Sequence, residues 1–337
     1  MGISVAMATF NGERFLREQL ESLARQSLLP DELVVCDDRS TDSTPAILEE
    51  FAADSPFPVR VHANAQRLGF ADSFFSAADR SVGELVAFSD QDDVWLEDKL
   101  QRCAEAFAPG VVLAVHNCIV SDETLRPTGQ VFPGIRRRSV AEPLSSDKWF
   151  HMPGMAMVFS RDLLRIADWR IRPRSHFLPT GMVFHDEWIH VLAQVCGRIA
   201  FLPDRLAVYR QHGANVTGAP SDGLIDFASN AVSTGLAYYR SRAEQAREWE
   251  QLFGRLARGE QDPSRRDRYE RGSEFFGRLT RGLALRVSLY EQNGRRARSA
   301  AVARVFVGGG YGSRRRGGSG FRGLARDMLM TALGRGG

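Results

Sequence analysis

Hydrophobic and polar positions alternate between two periods along the first 120 residues. Short apolar runs, which are typical of buried strands, precede segments whose apolar residues recur at helical spacing. Such an alternation of strands and helices predicts a mostly parallel sheet with helices on both faces. The predicted strands cover residues 3–8, 33–36, 59–62, 85–88 and 111–115.

Local capping signals indicate where the first helices begin. Asn11 is predicted to cap the first helix, because a short side-chain oxygen can accept a bond from a free backbone N–H. Thr44 followed by Pro45 predicts the start of the second helix, since proline suits the first helical position. A third helix is predicted over residues 70–78.

The second half of the chain changes character twice. Residues 121–150 are predicted to be loop, and the pattern then gives a strand at 155–160, a helix at 188–195 and short strands at 199–202 and 206–209. From about Gly223 to about Ala303 the pattern predicts arginine-rich amphipathic helices, and the end of the chain is rich in glycine and arginine. We therefore expect an α/β domain over residues 1–220, a helical extension over 221–305 and a basic tail over 306–337.

Composition excludes several classes of protein. The 337 residues are 43% hydrophobic and 25% charged, which excludes wholesale disorder and a small disulfide scaffold. The sequence shows no apolar run long enough to span a membrane and no leader pattern at its start. Four cysteines without a CxxC pair fit a reduced, cytoplasmic protein.

Charge is divided unevenly between the two parts of the chain. Residues 1–220 carry 22 basic and 29 acidic side chains, a net charge of −7. Residues 221–337 carry 22 basic and 12 acidic side chains, a net charge of +10. The hypothesis that follows is an acidic catalytic body with a basic tail.

Two groups of carboxylates follow predicted strands. Asp37 and Asp38 come after the second strand, and Asp90, Asp92 and Asp93 come after the fourth. Ligands of parallel sheets bind beyond the carboxyl ends of the strands. The first group alone could simply stabilise a turn. The second packs three like charges into four residues, which favours a compensating Mg²⁺ or Mn²⁺ that bridges to a substrate phosphate; the alternative is a solvated acidic loop.

Other common chemistries lack their motifs. Residues 1–220 contain neither GxGxxG nor GxxxxGK[ST], and the sequence contains no GxSxG. His185 and His190 are five residues apart instead of four, so they do not share a helix face as a zinc motif requires. Dinucleotide binding, P-loop chemistry, α/β-hydrolase chemistry and zinc hydrolysis are therefore set aside.

Five ordered motifs resemble those of family 2 glycosyltransferases. They are ATFNGERFL at residues 8–16, VCDDRSTD at 35–42, SDQDDVW at 89–95, HDEW at 185–188 and YRQHGANV at 209–216. The order is that of the rhamnosyltransferase-like members, and the match covers about residues 3–218. The resemblance implies a GT-A fold, which is Rossmann-like, with a C-terminal helical extension here. It also implies a nucleotide-sugar donor, a divalent metal and inversion at the anomeric carbon.

The resemblance also implies roles for residues that contact the donor. Thr9 and Glu13 match positions that hold the nucleotide, although Glu13 could be only a solvated helix residue. Asp38, with Asp37 as the alternative, would accept a hydrogen bond from the pyrimidine N3–H. The remaining donor and metal positions are matched by Asp90 and Asp92, with Asp93 as an alternative metal ligand.

Three later residues match positions near the reacting groups. Asp186 matches the base that takes a proton from the acceptor hydroxyl, and its alternative role is to stabilise a helix N-terminus. His212 matches a position close to the metal or the diphosphate. Arg210 is a second candidate for phosphate binding, but an arginine packed along a strand is equally consistent with the sequence.

The resemblance favours dTDP-L-rhamnose as the donor and a glycan or lipid-linked glycan of the bacterial cell surface as the acceptor. A UDP-hexose donor is one alternative. A non-catalytic protein that binds a nucleotide sugar or RNA is another.

The C-terminal segment supports three interpretations. Residues 295–335 contain ten arginines and one acidic residue, Asp327. A solvated tail, an anionic membrane contact and RNA binding all suit that charge, but only composition supports RNA. Apolar residues interleave with the arginines and favour an interfacial helix: Phe306, Phe321, Leu324, Met328 and Leu329. We expect a cytoplasmic protein with peripheral contact to the inner face of the cell membrane.

Overall fold

A computed structural model describes residues 1–146, 152–176, 181–213, 215, 236–292, 294–312 and 320–333. The chain divides into two compact units. The first comprises Met1–Pro143, His151–Arg170 and Phe184–Ala219, and the second comprises Leu144–Phe150, Ile171–Val183 and Pro220–Gly337. Residues 171–183 thus group with the helical unit, although they fall inside the span expected for the α/β domain.

The first unit is built on one large sheet. Its strands are β1 (Ile3–Thr9), β2 (Glu32–Asp37), β3 (Val59–Ala63), β4 (Leu85–Ser89), β5 (Val94–Trp95), β6 (Val111–Ser121), β7 (Pro127–Phe132), β8 (Ser139–Ala141), β9 (Met157–Ser160) and β10 (Arg198–Arg210). The strand order is β3-β2-β1-β4-β9-β6-β10-β5, with β7 added on β6 and β8 on β10.

The sheet is parallel across β3-β2-β1-β4 and again between β6 and β10. Strand β9 lies between these halves and runs antiparallel to both β4 and β6. In β1, Val5 pairs with Leu33 on one side and with Ala87 on the other. The carboxyl ends of β1, β2 and β4 therefore meet at one edge of the sheet.

Five helices accompany the sheet: α1 (Leu16–Ala24), α2 (Thr44–Asp54), α3 (Phe70–Arg80), α4 (Lys99–Ala104) and α5 (His185–Cys196). Strands β1 and β2 are buried along their whole length. Their hydrophobic residues do not alternate with polar ones, as expected for a sheet covered on both faces. The α/β fold class predicted from the sequence is confirmed.

Three local predictions were wrong. Asn11 does not cap α1, which begins at Leu16; Asn11 instead adopts a left-handed conformation (φ 46°) and its Oδ1 accepts a hydrogen bond from Thr41 N. The segment 121–150 contains β7 and β8, whose backbones pair with long neighbouring strands despite weak apolar patterning. The two short strands predicted near residues 199–209 are one strand, β10, with its register shifted around Arg205.

The second unit contains four helices in its described part: α6 (Leu236–Gly259), α7 (Pro263–Glu291), α8 (Arg295–Val307) and α9 (Gly320–Leu333). A short connection makes α6 and α7 antiparallel neighbours. Asp262 caps α7, since its Oδ1 accepts a hydrogen bond from Arg265 N at 2.7 Å. Phe276 packs between Trp249 and Phe253 with 5.8 Å between ring centroids in each pair. None of the helices in these described ranges combines the length and hydropathy of a membrane span.

A buried ion pair anchors α9 to α7. Asp327 Oδ2 lies 3.0 Å from Arg286 Nε and 2.9 Å from its NH2 nitrogen, and both side chains are almost completely buried. The hydroxyl groups of Tyr290 and Tyr311 donate to the same carboxylate at 3.0 and 2.8 Å. The segment expected as a basic tail therefore contributes a helix to the core of the second unit.

Replacing one partner of this ion pair tests its structural importance. Asp327→Asn removes the negative charge but leaves Arg286 buried, so the free energy of unfolding should fall by about 3–5 kcal/mol. Urea denaturation followed by circular dichroism measures the change. The matched control is Asp267→Asn, which breaks the exposed pair with Arg271 and should cost less than about 1 kcal/mol. Equal losses in the two variants would contradict the account of α9 as a core helix.

Candidate functional site

A cavity of about 350 Å³ opens at the carboxyl edge of the sheet in the first unit. Thr9 ends β1, Asp38 follows β2, Asp90 and Asp92 follow β4, and Asp186 lies in the first turn of α5. All five of these predicted residues line the cavity. The other five predicted residues are not part of its lining: Glu13, Asp37, Asp93, Arg210 and His212.

Backbone and side-chain donors fix the Asp38 carboxylate. Its Oδ1 accepts hydrogen bonds from Leu68 N at 2.7 Å and from Asn64 Nδ2 at 3.0 Å. Its Oδ2 accepts from Gly69 N at 2.9 Å, and Gly69 has the left-handed φ (84°) that favours glycine. The carboxylate is thus oriented without any ligand.

Neither Asp37, which is buried, nor Glu13, which is exposed, lines the cavity. Asp37 Oδ1 accepts hydrogen bonds from Thr9 Oγ1 at 2.8 Å and from Ser40 Oγ at 2.6 Å. Glu13 Oε2 accepts a hydrogen bond from Ser43 N at 2.9 Å. Both acids therefore hold the loop after β1 against the loop after β2.

The cavity lining also contains residues that were not predicted from the sequence, among them Gln91 and Arg67. The Gln91 side chain bonds both backbone groups of Phe10: its Oε1 accepts from the N–H at 2.9 Å and its Nε2 donates to the carbonyl at 3.1 Å. The Arg67 guanidinium carbon lies 3.6 Å from the centroid of the Phe10 ring, and Arg67 Nε lies 3.9 Å from Asp38 Oδ2. Gln91 stands inside the acidic motif, but no pattern distinguishes Arg67 from an ordinary loop arginine.

Negative charge accumulates around Asp90. Burial, together with the nearby charges of Asp92 and Asp186, raises the pKa of Asp90 to about 8. Lys99 opposes this shift. A bound cation would relieve the same repulsion, because it favours the ionised carboxylates.

Asp92 is held beside an imidazole. His212 Nε2 lies 2.8 Å from Asp92 Oδ2, and the His212 ring packs against Phe15 with 4.7 Å between centroids. A carboxylate oxygen and an imidazole nitrogen are both ligands for Mn²⁺. In the described part of the chain no group of three or more His, Cys, Asp or Glu side chains is arranged to hold a metal ion. The pair could thus supply only part of a coordination sphere.

Asp93 is buried below the cavity. Its Oδ1 accepts a hydrogen bond from Arg210 N at 3.1 Å, and its side chain is fully inaccessible to solvent. Burial, together with the charges of Asp92 and Asp90, raises its pKa well above the usual range. This environment favours a structural role for Asp93 and leaves Asp92 as the accessible carboxylate.

The guanidinium of Arg210 points into the protein. Its Nε donates to the carbonyl of Asp92 and its NH1 to the carbonyl of Glu123, each at 2.8 Å. Its NH2 bonds Glu18 on α1. These contacts favour the second interpretation of the sequence, in which Arg210 packs along its strand. They also join the acidic loop, residues 90–93, to α1 and to the segment after β6.

Lys99 is a second buried cation near the acidic loop. Its Nζ donates to the Met155 carbonyl at 2.7 Å and lies 3.3 Å from the centroid of the Trp95 ring. Burial lowers the pKa of Lys99 to about 8, because desolvation disfavours the ammonium form. Met155 lines the cavity, so Lys99 connects the N-terminus of α4 to the cavity wall.

Asp186 lies where the positive end of the α5 dipole stabilises a carboxylate. Its Oδ1 accepts a hydrogen bond from Glu187 N at 2.7 Å, and only 7% of the residue is exposed. The preceding residue, His185, stacks on Phe74 with 4.1 Å between centroids. Gly154 is required opposite His185, since a Cβ there would lie 2.5 Å from His185 Nε2.

The first part of the chain matches a known protein family. Residues 4–166, which include the acidic loop, match the family model described as Glycosyl transferase family 2. This match covers slightly less than half of the 337 residues.

Individual relatives are similar over nearly two thirds of the chain. An uncharacterized glycosyltransferase of Nostoc sp., alr2836, is 29% identical over 228 residues, which are 64% of this chain and 66% of the relative. The dTDP-rhamnosyl transferase RfbG of Shigella flexneri is 26% identical over 63% of this chain and 74% of its own length. The match thus spans slightly less than two thirds of the Nostoc protein.

Solved structures share the fold. A crystal structure of S. aureus TarS residues 1–349 in complex with UDP superposes with a TM-score of 0.54 at 18% identity. The superposition covers 99% of this chain and 92% of that chain. This likeness identifies the architecture as that of GT-A glycosyltransferases.

Proposed function

We propose that this protein transfers a sugar, with inversion, from a nucleoside diphosphate sugar to a hydroxyl group of a glycan or lipid-linked glycan. The observation that carries the proposal is the shared cavity of Asp38, Asp92 and Asp186. Asp38 is suited to bind a nucleobase, Asp92 to bind a metal ion and Asp186 to act as the general base. A protein that only bound the nucleotide would have no need of the third.

Asp38 and Arg67 fit the edge of a pyrimidine. A fixed carboxylate can accept the N3–H of thymine or uracil, and the adjacent guanidinium can donate to a ring carbonyl. Thr9, at the carboxyl end of β1, lines the same cavity as Asp38. Asp90 is available to the ribose hydroxyls. This arrangement supports dTDP or UDP as the nucleotide.

The donor sugar is proposed from similarity to named relatives. RfbG is named as a dTDP-rhamnosyl transferase, which supports dTDP-L-rhamnose. A UDP-hexose is the second candidate, because a glucosyltransferase of Escherichia coli named for UDP-Glc, WfgD, is 31% identical over 29% of this chain.

Asp92 and His212 fit a divalent cation. Mg²⁺ and Mn²⁺ commonly take one or two protein ligands and complete their shell with substrate phosphate and water. The 2.8 Å contact between these side chains and the repulsion around Asp90 support a cation here. When bound, the cation would neutralise charge on the departing diphosphate. Asp93 is too deeply buried to serve as the ligand without rearrangement.

Asp186 acts as the general base. The acceptor oxygen forms a bond to the anomeric carbon while the bond from that carbon to the diphosphate oxygen breaks. The hydroxyl proton passes to the Asp186 carboxylate, and the nucleoside diphosphate leaves with the bonding electrons. A single displacement of this kind inverts the anomeric centre.

We also propose that the enzyme acts at the cytoplasmic face of a membrane, where a lipid-linked acceptor would be presented. The excess of arginine in the C-terminal region supports contact with an anionic surface.

Metal dependence distinguishes Asp92 from Asp93. Calorimetry of dTDP or UDP should show binding to the wild-type protein with Mn²⁺ and little binding with EDTA. Asp92→Asn should weaken the Mn²⁺-dependent affinity by about tenfold or more, because a charged ligand is lost. Asp93→Asn should retain the Mn²⁺ dependence in molecules that remain folded. Equal affinity with Mn²⁺ and with EDTA would exclude the proposed role of the cation.

Removal of the base should slow turnover and spare binding. Asp186→Asn preserves shape but not basicity, so kcat should fall by about 10²–10⁴-fold while donor affinity stays near wild type. The matched control is Glu187→Gln on the same helical turn, which should keep most activity because Glu187 does not line the cavity. Product release from dTDP-L-rhamnose and an acceptor glycan gives the rates. A larger loss in the control than in Asp186→Asn would assign the base to Glu187.

A further inference from the structure

Helix α9 has an apolar face that the described residues of the second unit leave exposed. Phe321 is 80% exposed and Met328 is 57% exposed, and Ala325 between them is also exposed. At 100° per residue these three positions fall on one narrow stripe. Gly323 and Asp327 occupy the opposite, buried side. The helix is therefore anchored by one face and presents aromatic and aliphatic side chains on the other.

Helix α8 presents a similar stripe that also contains cations. Arg296, Ala300, Ala303, Arg304 and Val307 recur at helical spacing and are all exposed. Val307 is 86% exposed, and the neighbouring Phe306 is 63% exposed. It is unusual for two adjacent helices both to carry large, exposed apolar side chains. Such a pair of helices indicates an interaction surface.

Among the described arginines of this segment, Arg296 and Arg304 are exposed and Arg298 is buried. Residues 295–335 contain ten arginines and one acidic residue, Asp327. That acid is buried and bound by Arg286 of α7, so it cannot offset the arginines at the surface. The exposed charges that the structure describes in this segment, Arg296 and Arg304, are therefore both positive.

We infer that α8 and α9 form a docking face for an anionic lipid surface, with Phe306, Val307, Phe321 and Met328 entering the interface and arginines contacting the headgroups. Apolar side chains flanked by arginines are what such an interface binds. The inference deepens the proposed function, since it assigns the membrane contact to named helix faces. It requires no catalytic step.

Two other occupants fit the charge less well. In a symmetric pair of copies the same face meets itself, which would bring arginine-rich surfaces together. RNA would suit the arginines and the rings of Phe306 and Phe321, but Val307 and Met328 offer no stacking surface for bases. An anionic bilayer accepts both kinds of side chain.

Co-sedimentation of the full chain with lipid vesicles tests the inference. The protein should bind vesicles of equal parts phosphatidylglycerol and phosphatidylcholine, and bind pure phosphatidylcholine vesicles at least about tenfold more weakly. Binding should weaken as salt rises, because the attraction of exposed arginines is screened. The double variant Phe321→Ser, Met328→Ser should lower affinity for the anionic vesicles by roughly tenfold or more.

Matched variants in the first unit test whether vesicle binding depends on the docking face of α8 and α9 or only on overall charge and exposed apolar surface. Val82→Ser removes an exposed apolar residue of the first unit and should leave vesicle binding unchanged. Arg296→Gln with Arg304→Gln should weaken binding more than Arg17→Gln with Arg25→Gln, although both pairs remove the same net charge. Thermal unfolding verifies that each variant is folded.

Several outcomes would overturn the inference. One is equal binding to neutral and anionic vesicles, and another is unchanged binding in the variants of α8 and α9. A dimer that the Phe321 and Met328 substitutions dissociate would make this face a contact between copies. Stronger binding to single-stranded RNA than to anionic vesicles would assign the face to nucleic acid.

The proposed function fails separately from this inference. The Asp186→Asn variant should bind anionic vesicles as wild type does. Vesicle binding without donor binding would leave the docking face in place and reject the glycosyltransferase mechanism.

Discussion

Repulsion among carboxylates at one edge of the sheet is the constraint around which the first unit is arranged. Asp90, Asp92 and Asp93 follow β4, and the charge of Asp186 reaches Asp90 from α5. Strands that are buried on both faces and end together bring these acids close, and solvent cannot screen them fully. Two buried cations, Arg210 and Lys99, lie behind the cavity near these acids, whereas Arg67 lines the cavity beside Asp38.

Those buried cations also explain how the acidic loop keeps its shape. Arg210 joins the loop to α1 and to the segment after β6, and Lys99 joins it to the cavity wall at Met155. Both Arg210 and Lys99 donate hydrogen bonds to other groups of the protein. The cavity lining retains the carboxylates of Asp90, Asp92 and Asp186, and a divalent cation would reduce the repulsion among them.

Parallel-strand topology made much of the site predictable. A chain that alternates short apolar strands with helices has to bring its strand ends to one edge, so Asp38 and Asp90 could be expected together. The sequence could not decide between Asp37 and Asp38, because neighbouring residues point in different directions and only the paired strand fixes which one turns inward. Arg67 was unpredictable for another reason: it acts through a ring and a carboxylate from distant segments.

Weakly patterned elements escaped prediction for physical reasons. Strands β7 and β8 are held by backbone bonds to β6 and β10, and such bonds leave no signature in side-chain periodicity. Asp327 looked like the one acid of a basic tail, but its partner Arg286 lies 41 residues earlier in α7. Long-range pairing of this kind changes a presumed tail into part of a core.

The stereochemistry of transfer tests the central claim most directly. A single displacement with Asp186 as the base requires the new glycosidic bond to have the anomeric configuration opposite to that of the donor. Proton NMR of the product formed from dTDP-L-rhamnose, or from a UDP-hexose, with Mn²⁺ and an acceptor glycan reads that configuration. We predict complete inversion. A product that retains the donor configuration would contradict the account, because retention requires a different arrangement of the same carboxylates.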